Sequence, residues 1–556
     1  MNFKIVPHFE EIFPEENKEN PLFYLLKIPK ELLLKSIGFC NTYPLPTYNN
    51  FFSDKEIAKD IAKRIEIFKR GSDKDIEIIS PHSYLKLSEL ILSNIEKFSV
   101  DGDKGSNSEL NLFKAFLVLN SRFTEYNHDF QTNQNKESFI NFIVLQGFQL
   151  SEISMFEDDK NEFVKLIYAT IYKVESLLKF LSIKNFELIK AEFIKSYGLT
   201  NEKDFIYNMK YLFATLFIAK LNNQYLFTSQ NLSCFDLVKN IAATKIIEDE
   251  DFTELKKKPL YFIDENRFSI VNFYFAVDLF YRSAKFRLQE IFRENKIKID
   301  DFFSYYNKEF SENFLMKNLL DDIFSKKFYT KKIEYENEEK NDPDYYLNYN
   351  NTLLIFENKD VLISKSIKSA NDIETIENFL KEKFLQSKKK RKIKRVGIKQ
   401  LVNSIEFIYN QNFKFDNTIK YNHKIEIFPI LLVHDRVFES MGINYKLNNW
   451  FIEELNLRNI KCNEKFKIHP LTLMDIDTLI LWNHNIKDNF KILKDLLIAH
   501  TKQLNELPKK SYNNPKHFTD YLQRLLRPIS ARETPFFIKP GEFSKQFLDL
   551  LSNKNV

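Results

Sequence analysis

Residues 343–359 read PDYYLNYNNTLLIFENK. Two apolar, aromatic-rich runs, 345–349 and 352–356, flank the pair Asn350-Asn351. Such runs suit strands, and asparagine tolerates the positive φ angles that a two-residue hairpin turn requires. With Asn350 and Asn351 as the loop, Tyr349 pairs with Thr352, and counting outward sets Asp344 opposite Glu357. Directly opposed residues share a face, with Cβ atoms about 4.5–5.5 Å apart. Lys359, two residues further on, belongs to that same face, and Asn358 points away. One end of the hairpin therefore gathers two carboxylates and an ammonium. A four-residue loop centred on the same bond preserves this pairing; a loop of odd length breaks it.

Two carboxylates this close repel each other unless a cation lies between them. Magnesium takes oxygen ligands at about 2.0–2.1 Å and keeps several of its waters, so a pair of carboxylates suits it. Such an ion polarises a phosphate oxygen and makes a bound water more acidic, and Lys359 would stand beside the developing negative charge. This is a layout for phosphodiester hydrolysis, with Mg²⁺ as the expected cofactor and Mn²⁺ as its substitute.

Working outward, residues 311–326 suit a helix, 328–335 a strand, and 336–343 a charged turn containing proline. Residues 371–386 and 396–409 have helical spacing of apolar positions. The segment EIFPILLV, 426–433, reads as a mostly buried strand, and its Pro429 argues for a sheet edge or a bulge. Helix, strands, helices and strand in this order imply an α/β core, a mixed sheet covered by helices. Residues 1–300 are expected to be a mainly α-helical scaffold or sensor region, with helices at 163–179, 204–221 and 268–293. Residues 301–440 are the expected core, and 441–556 a helical C-terminal extension.

Pro343-Asp344 followed by Glu357-Asn358-Lys359, with the two acids thirteen positions apart, resembles the PD-(D/E)XK nuclease superfamily, which has the restriction-endonuclease-like fold. The resemblance covers about residues 309–435. It implies that Asp344 and Glu357 bind the metal and that Lys359 assists the attacking water. Many members carry a further glutamate on the helix before the first core strand, which is matched by Glu312, with Glu309 as second choice. Many also carry a glutamine on the helix after the lysine strand, where Gln400 stands. A large helical region joined to such a core resembles bacterial host-defence nucleases. The implied substrate is DNA, with RNA second, and the helical region is expected to bind a partner protein or a second copy of the chain.

The rest of the composition mainly excludes. Only 9 glycines occur in 556 residues, and no GxxxxGK[ST], GxGxxG or GxSxG motif is present. Phosphate-cradling loops need glycines in close succession, so ATPase, dinucleotide-binding and α/β-hydrolase readings fail. Zinc readings fail for want of HExxH and CxxC. The net charge of +5 is small for this length, so the position of the basic residues matters more than their sum. The densest run is Lys388-Lys389-Lys390-Arg391-Lys392, followed by Lys394 and Arg395. It can neutralise phosphates, or be a solvated loop. Arg122 and His128 have a spacing that resembles HEPN ribonucleases, a metal-independent rival; a third reading keeps the nuclease-like fold only to grip nucleic acid. His434, directly after 426–433, is expected to be a hydrogen-bonded structural residue. Three scattered cysteines, Cys40, Cys234 and Cys462, fit a reducing compartment. Acidic residues stand where a secretory signal needs an apolar run, and no run reaches membrane-spanning length. The expected location is the cytoplasm, with no membrane partner.

Overall fold

The computed structural model describes residues 5–39, 51–70, 75–102, 105–124, 136–154, 160–222, 224–228, 234–249, 251–326, 329–331, 343–370, 372–389, 392–506 and 515–531. The chain divides into two units, one of residues 1–132, 153–298 and 550–556, the other of 133–152 and 299–549. The main division falls between residues 298 and 299. Residues 133–152 depart from it, for they belong with the second unit.

The first unit is mainly helical. Its longer helices include Lys160–Ile183, Glu202–Leu221 and Ser106–Thr124. Short polar side chains set their starts, as where Asn201 Oδ1 accepts from the Asp204 amide at 2.9 Å. Residues 268–293 do not form the single helix that their spacing suggests. Arg267–Ile270 is a strand, Asn272 caps a helix that starts at Phe273, and that helix ends at Arg282. The strand joins Leu226–Thr228, Leu260–Phe262 and Ala242–Ala243 in a four-stranded sheet. Among the described residues, no helix is long and apolar enough to cross a membrane.

The second unit is α/β. It opens with α1 (Lys136–Ser154) and a long helix, α2, built from the contiguous stretches Phe302–Tyr305, Tyr306–Met316 and Lys317–Ile323. The middle stretch of α2 has the wider π-helical turn. Then come β1 (Thr330–Lys331), β2 (Tyr345–Tyr349), β3 (Thr352–Lys359), α3 (Ile373–Phe384), β4 (Gln386–Lys389), β5 (Lys392–Arg395) and α4 (Ile398–Tyr409). After these follow β6 (Ile425–Val433), α5 (Ile443–Leu457), β7 (Phe466–Ile468), β8 (Thr472–Asp475), α6 (Ile476–Ile486), α7 (Phe490–Leu504) and α8 (Pro515–Leu526).

Six of these strands form one mixed sheet. β1, β2 and β3 are antiparallel neighbours, β3 runs parallel to β6, and β7 and β8 both lie parallel to β6 on its other side. The hairpin has the register counted from sequence: Tyr349 pairs with Thr352 and Tyr345 with Phe356. Asn350 and Asn351 have φ of 50° and 60°, the left-handed values of a two-residue turn. Asn351 also fixes the turn to the chain entering β6, with Nδ2 donating to the Lys420 carbonyl at 2.8 Å and Oδ1 accepting from the Lys420 amide at 3.0 Å.

β3 and β6 are buried along nearly their whole length because helices cover both faces. On one face Leu353, Ile355, Ile427 and Leu431 pack with apolar residues of α1, α3, α4, α5 and α8. On the other, the Tyr345 hydroxyl donates to Asp321 of α2 at 2.9 Å and Tyr349 meets Phe490 of α7 with ring centroids 5.1 Å apart. Buried Lys446 of α5 joins Asn141 of α1 and Glu377 of α3, each at 2.6 Å.

Three expectations need revision. Pro429 lies in the central strand, not at an edge. β7 ends opposite Ile427 and β8 begins opposite Ile430. The Ile427 carbonyl accepts from the His469 amide at 2.9 Å, so Pro429, two residues on, faces the same side at the break between β7 and β8. Its missing N–H therefore costs the ladder no bond. Second, residues 441–556 are not a separate extension, since β7 and β8 complete the sheet. Third, only Thr330–Lys331 of the strand expected at 328–335 is seen as a strand; residues 327–328 and 332–342 lie outside the described residues.

Candidate active site

Asp344 directly precedes β2, and the β2–β3 register continued by one residue sets it opposite Glu357. The Asn358 amide donates to Asp344 Oδ2 at 2.7 Å, which fixes that carboxylate against the neighbouring strand. Lys359 Nζ lies 3.3 Å from Glu357 Oε2 and 3.9 Å from Asp344 Oδ2. One ammonium thus serves two carboxylates on one face, at the C-terminal end of β3. Beside them in the sheet, Leu431 pairs with Glu357 and Val433 with Lys359. These apolar neighbours close the site along that strand.

Glu357 is 1 % exposed. Burial pushes its carboxyl well above the usual carboxylate range, and the Asp344 charge adds to the rise; Lys359 offsets part of it and Glu312 adds a little more. For Lys359, burial works to lower the pKa, but the charges of Glu357 and Asp344 outweigh it and hold the ammonium above its ordinary value. Glu312, on the π-helical stretch of α2, is thus near enough for its charge to act on both residues. The wider turn belongs to a helix fastened next to the site: Asn307 Nδ2 donates to the Asp360 carbonyl at 2.8 Å and Ser311 Oγ to Asp360 Oδ2 at 2.5 Å. π-Helical turns often occur at functional sites.

The structure thus brings together Asp344, Glu357 and Lys359; the charge of Glu312 is felt there, but it does not complete a group of three carboxylates around one point. Gln400 caps its own helix, its Oε1 accepting from the Gly397 amide at 2.8 Å, and none of the described contacts joins it to the carboxylates. Asn307, Ser311 and Asp360 support the site but carry no motif that would single them out in sequence. His434 Nε2 lies 2.8 Å from Asn358 Oδ1, on the sheet face opposite Glu357, as a hydrogen-bonded structural residue.

The basic run forms a two-stranded antiparallel ribbon, β4–β5, in place of a loop; Lys390 and Arg391 lie outside the described residues. Of the HEPN-like pair, His128 also lies outside them, as does the side chain of Arg122. Cys234 and Cys462 are free, and Cys40 lies outside the described residues.

Among the described residues, no group of three or more His, Cys, Asp or Glu side chains forms a ready-made metal cage. The donor set still fits magnesium, which is commonly held by one or two carboxylates with waters completing its shell. Two carboxylates against one ammonium, with Glu357 driven toward its neutral form, are an acidic pair short of positive charge. Comparison with protein families, curated proteins and solved structures finds no match to this chain.

Proposed function

We propose that the second unit is a restriction-endonuclease-like, divalent-cation-dependent nuclease that hydrolyses phosphodiester bonds in DNA, with RNA as the less favoured substrate. The observation that carries this reading is the sharing of the Lys359 ammonium by Asp344 and Glu357 at one end of a buried hairpin. Asp344 and Glu357 would hold the ion, with the charge of Glu312 nearby. Mg²⁺ bound there would act as a Lewis acid toward the phosphate and lower the pKa of a coordinated water.

The chain's own residues do the remainder. The Asn358 amide holds Asp344 in place, and the wall around Glu357 keeps bulk water away. Lys359 supplies a positive N–H donor on the same face, to orient the attacking water and steady the negative charge that grows on the phosphate. Host defence is the setting that the resemblance implies.

The test is cleavage of plasmid, single-stranded DNA and RNA by the full chain, with Mg²⁺ or Mn²⁺ and with EDTA. The expected result is cation-dependent cutting of DNA that Glu357→Ala removes. Undiminished cutting by Glu357→Ala, or by wild type in EDTA, would overturn the reading. Salt-sensitive binding with no cutting by any preparation would instead favour a protein that only grips nucleic acid.

A further inference from the structure

The middle of α2 repeats every five residues. Tyr306, Ser311 and Met316 are buried, as are Phe310 and Leu315; Asn307 and Glu312 are half-buried, and Lys308 and Asn313 are exposed. An α-helix, with about 3.6 residues per turn, cannot hold this pattern. A π-helix can, because each amide bonds five residues back and positions five apart lie nearly one above the other. The repeat ends with the π-helical stretch: from Lys317 on, Leu319, Leu320 and Ile323 are buried at ordinary α-helical spacing. Rings four residues apart line the wide turn, with centroids 5.0 Å apart for Tyr306 and Phe310 and 6.3 Å for Phe310 and Phe314.

This geometry decides which side of α2 carries Glu312. Asn307 and Ser311 mark the side that meets the end of β3: Asn307 Nδ2 donates to the Asp360 carbonyl at 2.8 Å and Ser311 Oγ to Asp360 Oδ2 at 2.5 Å. In an α-helix Glu312 would lie roughly 140° round the axis from Asn307, away from that side. Five residues on in a π-helix, it stacks over Asn307 instead. Asp360 itself directly follows Lys359. The side of α2 that carries Asn307, Ser311 and Glu312 is therefore fastened to the end of β3 where Asp344, Glu357 and Lys359 meet, and the charge of Glu312 acts on Glu357 and Lys359.

We infer that Asp360 is a positioning residue for Glu312. Through Asn307 and Ser311 it fixes the rotation of α2 about its axis, and the wide turn then sets Glu312 toward the carboxylate pair. This rests on the nuclease reading in so far as that pair is taken to bind a divalent cation. Glu312 contributes charge at the edge of the site, and a further negative charge there strengthens the hold on a dication. Without the Asp360 carboxylate, Ser311 loses its acceptor, and the single bond from Asn307 to the backbone does not fix the rotation. The charge of Glu312 then moves away from the pair.

The test is a double-mutant cycle, read by calorimetric titration of Mn²⁺ into the full chain without nucleic acid, so that binding is measured apart from cutting. Glu312→Gln should weaken Mn²⁺ binding roughly tenfold, and Asp360→Ala by nearly as much. Together the two should weaken it no further than Glu312→Gln alone, because both take the same charge from the site. Ser311→Ala should show part of the loss. Asp360→Asn should bind as wild type does, since its amide oxygen still accepts from Ser311. Should Asp360→Ala melt far below wild type, Ser311→Ala takes its place in the cycle. Additive losses, unchanged binding in both Asp360→Ala and Ser311→Ala, or an equal loss in Asp360→Asn, which would assign the effect to the charge of Asp360 itself, would each overturn the assignment. Coupling of Asp360 to Glu312 without cleavage of any nucleic acid would sink the nuclease reading and leave the positioning role standing. Mn²⁺-dependent cleavage with additive losses would do the reverse, and a wild type that binds no Mn²⁺ would overturn both.

Discussion

The central strand β6 has a carboxylate cluster at each end, half-buried at its start and buried at its far end, and the two have opposite charge ratios. At its start, Glu426 lies 2.8 Å from both Lys467 Nζ and His469 Nε2, and also pairs with Lys494. Burial pushes the Glu426 carboxyl up, but Lys467, Lys494 and His469 together bring it down to about 2. At the far end, two carboxylates share the single ammonium of Lys359, and burial together with Asp344 drives Glu357 upward. Both clusters set acids of the sheet against lysine side chains. A surplus of cations makes a closed clamp, whereas a deficit leaves a place where a further cation is favourable. Burial of an acid alone does not distinguish a site from a clamp; the local ratio of charges does.

The largest expected effect separates the two ends by activity. Lys359→Ala should lower kcat/KM for DNA cleavage by roughly 10²–10⁴-fold, the range for loss of a group that handles protons or charge in the transition state. Lys467→Ala should leave cleavage within about twofold. A similar loss from both variants would erase the distinction between site and clamp.

The second separates them by stability. Glu426→Gln should cost about 2 kcal/mol in chemical denaturation at pH 7, since the carboxylate is held in its charged form. The folded pKa is near 2 and the ordinary value 4.5, so the unfolded chain takes up the proton less reluctantly. The contribution is fully present above about pH 4.5 and fades as pH falls toward 2. The stability gap between wild type and variant should therefore close on acidification. A gap that stays constant from pH 6 to pH 3 would remove the electrostatic account.

At the other end the sign reverses. Glu357→Gln replaces a carboxyl whose charged form burial and Asp344 disfavour, and should stabilise the metal-free protein by about 1 kcal/mol at neutral pH. Millimolar Mg²⁺ should raise the melting temperature of wild type and leave that of the variant unchanged. Destabilisation by Glu357→Gln, with no response of wild type to Mg²⁺, would mean that this end is a clamp as well.

The sequence makes one end of this comparison far more legible than the other. Acid-x-Lys triplets arise by chance in so charged a chain, but the Asn350-Asn351 turn fixes which residues oppose each other, so Asp344, Glu357 and Lys359 could be placed by counting. The run 426–433 was readable because continuous apolar character marks a strand buried on both faces. The Glu426 clamp was not readable. Its partners come from β7, the link to β8, and α7, and strands of three and four residues interrupted by His469-Pro470 are too short for alternation to show. Pro429 misled for the same reason, because its tolerance depends on that break in the neighbouring strand. Helix α1 reads as part of the scaffold because nothing in its own residues tells that Ile140, Val144 and Phe148 pack in a core built mostly after residue 340. Glu312 was legible only through the resemblance, and its neighbours Asn307 and Ser311 only through their bonds to Asp360.

The smallest effect tests the turn on which the counting depends. Asn350 is exposed and has φ 50°, so its role is to adopt the left-handed conformation. Asn350→Ala should cost about 1 kcal/mol, because a Cβ without a local polar group is disfavoured there. Asn350→Gly should stay within about 0.5 kcal/mol of wild type, conformational ease offsetting the greater freedom of the unfolded chain. Both should cleave DNA at the wild-type rate, since Asn351 keeps its two bonds to Lys420 and with them the register. Loss of cleavage in Asn350→Gly at unchanged stability would show that the turn shapes the acidic end directly, and that the charge ratio there depends on more than the pairing of Asp344 with Glu357.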